Sequence, residues 1–264
     1  MKDSQFQKKY GPYALVAGGS DGLGAAFAEA AASRGLNLVL MARQKERLED
    51  TAARLKCKYD VNVKAIAADM ADYDNVKKLI GELDVSIGLL IYNAAYAPIG
   101  LFENTSEEQL ALAAAVNVKA PLLIAKLLSV PMIKNKRGGV VFMSSLSGAQ
   151  GSPNLAAYSA TKAFNAILAE GLWKELKPHG IDVIGCCAGA ILTPGYQQAE
   201  KSKQAPGTLT AAAVAEKTLK ALGKHPIVVP GAVNKIGRFV LTRLLTKKAA
   251  IGIMLKNTKG LSLS

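Results

Sequence analysis

The residue pair with the clearest potential for proton chemistry is Tyr158-Ser-Ala-Thr-Lys162. A phenol and an ammonium at i, i+4 lie on one face of a helix, one turn apart. Tyr73-Asp-Asn-Val-Lys77 has the same spacing and reads as a solvated pair on a polar helix. What separates the two is company. Ser145 stands 13 residues before Tyr158, where an apolar run ends in Ser144-Ser145, and Asn117 stands 28 residues before that. A second cluster is Ala17-Gly-Gly-Ser-Asp-Gly-Leu-Gly24, placed directly after another apolar run. Gly18, Gly22 and Gly24 let a backbone turn tightly and approach a diphosphate, whose charge the next helix's N-terminus stabilises. The chain has two histidines, His179 and His225, so proton chemistry falls to other side chains. Cys57, Cys186 and Cys187 have no ligand spacing to either histidine, so no metal site is expected.

These residues need a frame, and the hydropathy pattern supplies one. Short, near-continuously apolar runs at 13–17, 37–42, 61–67, 87–93, 139–144, 181–187 and 226–229 read as strands covered on both faces. Ala-, Leu-, Lys- and Glu-rich stretches at 23–34, 44–59, 72–83, 106–135, 154–177 and 210–222 read as the helices between them. Thr105-Ser-Glu-Glu108 has the pattern of a capping box, and Thr210 that of an N-cap. Gly35 and Pro178 close two helices, and Pro121 predicts a kink or break within 106–135. The alternation argues an α/β, doubly wound, seven-stranded parallel sheet with helices on both faces. Half of the 264 residues are hydrophobic and 20% are charged, enough for a large core. We read residues 1–230 as one dinucleotide-binding domain and 231–264 as a basic, helical extension.

With these motifs in order, the chain resembles the short-chain dehydrogenase/reductase family over nearly its whole length. Ala17–Gly24 is similar to that family's cofactor loop and Asn93-Ala94 to its Asn-Ala motif after the fourth strand. Asn117, Ser145, Tyr158 and Lys162 match its catalytic tetrad, and Ala188-Gly-Ala-Ile-Leu-Thr193 its nicotinamide-binding turn. The chain departs from the pattern at Ala17, Tyr92, Ala95 and Ala188, all in the cofactor shell; the tetrad is intact. The resemblance implies hydride transfer between a nicotinamide and a carbonyl or secondary alcohol, with Tyr158 as acid/base and Ser145 bonding the substrate oxygen. Asn117 would hold a water for proton relay at a helix irregularity; the same residue also reads as a buried structural amide. A free tyrosine titrates near 10, so Tyr158 needs a drop of about 2–3 units, roughly 3–4 kcal/mol. An ammonium about 4 Å away supplies ~4 kcal/mol at an effective dielectric near 20, so Lys162 alone is expected to suffice.

Cofactor choice is legible after the second strand. Met41-Ala42-Arg43 has a guanidinium where an NAD-preferring relative carries an acid, and Ser20 can add a hydroxyl to the same 2′-phosphate. NADP(H) is therefore the expected cofactor, although Arg43 also reads as an ordinary helix-opening charge. By resemblance Asp69 contacts the adenine, with a plain turn residue as the alternative. The expected cofactor set is Gly18, Ser20, Gly22, Leu23, Gly24, Arg43, Asp69, Asn93, Lys162 and Thr193. The substrate lid falls between Thr193 and Thr210, and Tyr96, Leu146, Gln150 and Tyr196 are candidate pocket residues of mixed polarity. They select no substrate class. A non-catalytic nucleotide-sensing or scaffold protein on the same fold is the competing reading.

The net charge of +13 is unevenly placed: ten Lys or Arg and no acid follow Glu216. Phe239 is the only aromatic in that stretch, so nucleic acid is not an expected partner. Plotted as one helix, its apolar and basic residues spread all round. The extension is expected to cap the substrate pocket or a subunit interface, with reversible contact to an anionic membrane as the alternative. Resemblance makes a homodimer or homotetramer through 106–135 and 154–177 the expected assembly. Neither uncharged stretch, 85–102 or 138–161, is a continuous apolar run of ~20 residues, and no leader is visible, so a cytoplasmic protein is expected.

Overall fold

The computed structural model describes residues 4–193 and 205–258. The chain runs α1 (Ser4–Tyr10), β1 (Tyr13–Ala17), α2 (Gly22–Ala32), β2 (Asn37–Ala42), α3 (Lys45–Tyr59), β3 (Val63–Ala67), α4 (Tyr73–Gly81) and β4 (Ile87–Tyr92). It continues through α5 (Glu107–Ala114), α6 (Ala120–Lys134), β5 (Gly138–Ser145), α7 (Ala156–Leu176) and β6 (Ile181–Ala188). The remainder is β7 (Ile191–Leu192), β8 (Leu209–Thr210), α8 (Ala211–Ala221), β9 (Ile227–Val228), α9 (Ala232–Phe239) and α10 (Lys247–Thr258). Seven strands form one parallel sheet in the order β3-β2-β1-β4-β5-β6-β9, while β7 and β8 pair separately.

Strand geometry explains the continuous apolar runs. Successive side chains point to opposite faces, and here both faces are covered. Val16, Leu38 and Leu40 face Phe27, Leu48 and Leu219 in one core layer. Their neighbours Leu15, Val39 and Met41 face Val76, Ile124 and Leu128 in the other. The order reverses between β1 and β4, so the loops leaving the carboxyl ends of these two strands diverge and open a crevice there.

Local signals shift in instructive ways. The capping box near α5 uses Ser106 and Gln109 rather than Thr105 and Glu108, so the helix starts one residue later than the pattern suggests. The 106–135 stretch is interrupted, but at a π-turn over Ala115–Lys119 through which the helical backbone continues into α6; Pro121 lies just past it, and the Asn117 carbonyl one turn back accepts from Asn165 Nδ2 in place of a backbone N–H. Thr210 caps α8 by accepting from Ala213 N. Helix α1 and the β7–β8 pair have no sequence signal. Tertiary contacts hold α1: Tyr10 Oη donates to buried Asp182 at 2.7 Å, and Asp182 also takes Lys177 Nζ at 2.9 Å and an ion pair with Lys9. Residues 107–134 together are long and apolar enough to cross a bilayer, but α6 packs along β4 and β5 with Ile124, Ala125, Leu128 and Met132 in the core.

The extension does not form the single helix assumed in the sequence plot. It breaks at a π-turn over Val240–Leu244 between α9 and α10, and its polarity is inverted. The residues turned inward are Asn234, Ala250 and Thr258, whereas Val233, Ile236, Phe239, Leu244, Ile251, Ile253 and Leu255 are exposed.

Candidate active site

The glycine loop crosses the carboxyl end of β1 and is tied from both sides. Gly18 N donates to Met41 O at 2.8 Å, and the N–H groups of Asn93 and Ala94 donate to Ala17 O. Asn93 Nδ2 donates to Gly18 O at 3.1 Å. Asn93 thus reaches the cofactor loop through its side chain, as a clamp on the backbone that would meet the phosphates. Gly18 has φ +79°, and a Cβ at position 24 would stand 1.7 Å from Gly18 O. Only glycine lets α2 start this close to the turn. Asp21 caps α2 by accepting from Gly22 N, and Leu23 is buried beneath the loop. A Cβ at Gly22 would meet the Thr193 methyl group at 3.2 Å, so the segment after β6 closes over the start of α2.

Beside this loop lies a cleft of about 320 Å³, lined by Gly18, Ser20, Ala42, Arg43, Asp69, Asn93 and Tyr96 among others. Its floor is glycine backbone at a helix N-terminus, its wall past β2 carries the exposed Arg43, and Asp69 stands on the next turn, accepting from Ala71 N at 2.9 Å. The residues present fit a dinucleotide: a cradle no Cβ could share for the diphosphate, a guanidinium with Ser20 for a 2′-phosphate, and an adenine slot between Arg43 and Asp69.

The tetrad positions converge at the same end of the sheet. Ser145 ends β5, and its Oγ accepts from Ser147 N at 3.2 Å and Ser147 Oγ at 3.0 Å. Tyr158 and Lys162 share one face of α7, with Lys162 Nζ 5.5 Å from the centre of the Tyr158 ring. Lys162 is buried and donates to Met143 O at 3.0 Å. Burial pushes Tyr158 up to about 12, against a hydrogen bond with Ser145 that lowers it. Burial likewise pulls Lys162 down to about 8. This corrects the expectation that Lys162 alone depresses Tyr158: the ammonium spends its hydrogen bond on a carbonyl, and desolvation moves the two groups toward their neutral forms.

Asn117 lies in the π-turn, completely buried. Its Nδ2 donates to Tyr96 O at 2.7 Å and Thr161 Oγ1 at 3.0 Å, and its Oδ1 accepts from Tyr96 N at 2.8 Å. Its carbonyl accepts from Asn165 Nδ2 at 3.0 Å. The side chain therefore stitches the loop after β4 to α7, with both amide protons committed to protein. Thr161 and Asn165, which complete this stitch, were not flagged by motif spacing; their signal is a polar pair at i, i+4 on the same helix. Tyr196 and most of the expected lid fall in 194–204, outside the described residues.

Comparison with known proteins agrees with this geometry. A family model described as short chain dehydrogenase matches residues 12–204. A very-long-chain 3-oxoacyl-CoA reductase of Phaeosphaeria nodorum is 35% identical over 198 residues, 72% of this chain and 58% of its own length. The chain thus spans little more than half of that relative. Among solved structures, one describing 7β-hydroxysteroid dehydrogenase stereoselectivity superposes with TM-score 0.88 at 27% identity, covering 94% of this chain and 98% of its own. A short-chain dehydrogenase from Sphingobium yanoikuyae in complex with NADPH is 32% identical with TM-score 0.75, over 83% of this chain and 87% of its own. This chain belongs to the short-chain dehydrogenase family.

Proposed function

We propose that the protein is an NADP(H)-dependent oxidoreductase that interconverts a carbonyl and a secondary alcohol. The observation that carries the reading is the convergence of Ser145, Tyr158 and Lys162 beside the glycine-loop cleft. When bound, the nicotinamide supplies or accepts the hydride. Gly18, Gly22 and Gly24 take the diphosphate, Arg43 and Ser20 the 2′-phosphate, Asp69 the adenine, and Thr193 the nicotinamide end; Leu23 supports the turn from below. Tyr158 Oη gives its proton to the carbonyl oxygen, or takes one from the alcohol, while Ser145 Oγ orients that oxygen. A tyrosine raised to about 12 is protonated at neutral pH but is a weaker acid than a free one, so proton transfer in either direction needs that pKa lowered once the site is filled. Lys162 orients Tyr158 and, still largely protonated at neutral pH, favours the phenolate that forms. Asn117 is a positioning residue that fixes the loop carrying Tyr96. Residues 1–230 form the catalytic unit in this reading, and 231–264 an appendage to it.

A panel of ketones, 3-oxoacyl thioesters, steroid ketones and the matching alcohols, run with both nicotinamide dinucleotides, tests the assignment. Turnover with NADPH, and roughly a tenfold rise in NADPH KM for Arg43→Ala with NADH little changed, is the expected result. NADPH binding without turnover on any member would favour the non-catalytic reading.

For partners, we propose contact with an anionic membrane through the extension. Support comes from its inverted polarity: large apolar side chains outward beside Lys235, Arg243, Lys247, Lys248 and Lys256, with no acid to oppose them. An isologous contact through this face would set like charges against each other. A second copy is better placed on α6 and α7, where Leu122, Val130 and Ile167 are exposed. Sedimentation with phosphatidylserine vesicles at low salt, lost at high salt and in Ile236→Glu/Phe239→Glu, supports the contact; no sedimentation at low salt overturns it.

A further inference from the structure

The helical stretch that carries Asn117 has a proline where it needs a donor. In the π-turn Ala120 N donates to Ala115 O, five residues back. At that spacing the next N–H, from residue 121, would reach Val116 O; at the ordinary four-residue spacing it would reach Asn117 O. Residue 121 is proline, which has no N–H and whose ring crowds the carbonyl four residues back. Val116 and Asn117 are 7% and 0% exposed, so water cannot replace the missing proton, and both carbonyls must find partners within the protein.

Each carbonyl takes a side-chain donor. Tyr92 Oη donates to Val116 O at 2.6 Å, and Asn165 Nδ2 donates to Asn117 O at 3.0 Å. Both donor residues are themselves only 2% exposed. They stand on different elements: Tyr92 ends β4 and pairs in the sheet with Ala17 and Phe142, and Asn165 lies on α7, three residues beyond Lys162. The turn they hold is a wall of the cofactor cleft. Val116 lines that cleft with Tyr96, and the Asn117 side chain accepts from Tyr96 N and donates to Tyr96 O. A buried carbonyl that loses its donor must turn toward another, and here that movement would carry Val116 and the Tyr96 loop with it.

We propose that Tyr92 and Asn165 are positioning residues: they serve the two carbonyls that Pro121 leaves without its N–H, and thereby fix Val116 and the Tyr96 loop against the bound dinucleotide. The proposal rests on reading that cleft as the cofactor site. A backbone N–H restored at position 121 could serve either carbonyl but not both at full strength, and this sets the form of the test.

The full-length protein is titrated with NADPH, followed by nucleotide fluorescence, and the same proteins are unfolded in denaturant without nucleotide. Tyr92→Phe and Asn165→Leu should each weaken NADPH about fivefold, and the two together by more than either alone. Pro121→Ala in the parent should change affinity by less than about twofold. Combined with either single variant it should bring affinity back to within about twofold of the parent, because the alanine N–H takes the vacated carbonyl. Combined with both, it should restore only part. In unfolding, the same rescue should appear as a folding equilibrium constant about tenfold above the additive expectation. A packing role for either side chain would lower stability, but would leave NADPH affinity unmoved and would not respond to Pro121→Ala. Should Asn165→Leu fail to fold alone, Tyr92→Phe, which removes a single hydroxyl, decides. NADPH affinity within about twofold of the parent in the single variants, or no rescue by Pro121→Ala in either measurement, would overturn the proposal. A parent that binds no NADPH would overturn the cofactor reading instead, with the unfolding cycle still deciding which groups serve the two carbonyls.

Discussion

Two buried ionisable clusters at opposite ends of the sheet are built on opposite terms. At the amino end of β6, Asp182 is 1% exposed yet receives Tyr10 Oη, Lys177 Nζ and Lys9 Nζ. Burial alone would raise its carboxyl, but the hydrogen bonds from Lys9, Tyr10 and Lys177 outweigh it and hold the group below the usual carboxylate range. At the carboxyl end, buried Lys162 and half-buried Tyr158 have no carboxylate partner among the described residues, and both move toward their neutral forms. The first cluster converts burial into stability, because every charge has a partner. The second holds its charge at a cost; in the proposed reaction its proton donor and its cation find their partners in substrate and cofactor. Stability and reactivity thus use the same desolvation and differ only in who completes the pairing.

Asp182→Ala should break this contrast most strongly, leaving Lys177 and Tyr10 without their shared acceptor. A loss of about 2–4 kcal/mol in denaturant unfolding is expected, chiefly from the stranded Tyr10 hydroxyl, because Lys9 and Lys177 are half exposed. Because the folded carboxyl titrates below its unfolded value, its contribution is present above the unfolded pKa near 4 and is lost as pH falls through the folded one. Acid titration of unfolding should show that slope in the parent and not in the variant.

Lys162→Met should act with the opposite sign. The folded ammonium titrates near 8, below its unfolded value of 10.5, so the unfolded chain binds the extra proton between those values. Parent stability should therefore rise with pH from about 8 to 10.5, by on the order of 2–3 kcal/mol, and Lys162→Met should gain that amount at pH 7 and lose the slope. Activity should fall with it. A variant less stable than the parent at pH 7 would show that Lys162 is paired more fully than its single bond to Met143 O implies.

Tyr10→Phe makes the smallest change, removing one donor to a charged acceptor that retains two lysines. About 1.5–2 kcal/mol should be lost, with turnover per folded molecule unaltered.

Much of this frame is legible in the sequence, for physical reasons that also mark where legibility stops. The strands from β1 to β6 announce themselves because both faces are covered, so apolar residues run unbroken and boundaries fall within about two residues. The glycine loop and the Tyr–Lys spacing depend on local backbone geometry, which sequence carries directly. Helix α1 is invisible because what holds it, Asp182, lies 172 residues from Tyr10 in the chain. The same reason hides the clamp role of Asn93 and the saturated amide of Asn117, whose partners come from other elements. Tyr158 shows the limit most clearly: distance to Lys162 was inferable from helical spacing, but desolvation was not, and desolvation sets the direction of the shift.

The central claim, that Tyr158 is the acid of a reductase, meets its most direct test in Tyr158→Phe, which removes one hydroxyl and leaves the ring packing in place. NADPH binding and carbonyl reduction should be measured on the same preparation. The account predicts binding within about threefold of the parent and turnover reduced by at least about 10³. Turnover within a few fold of the parent, with NADPH binding intact, would contradict it.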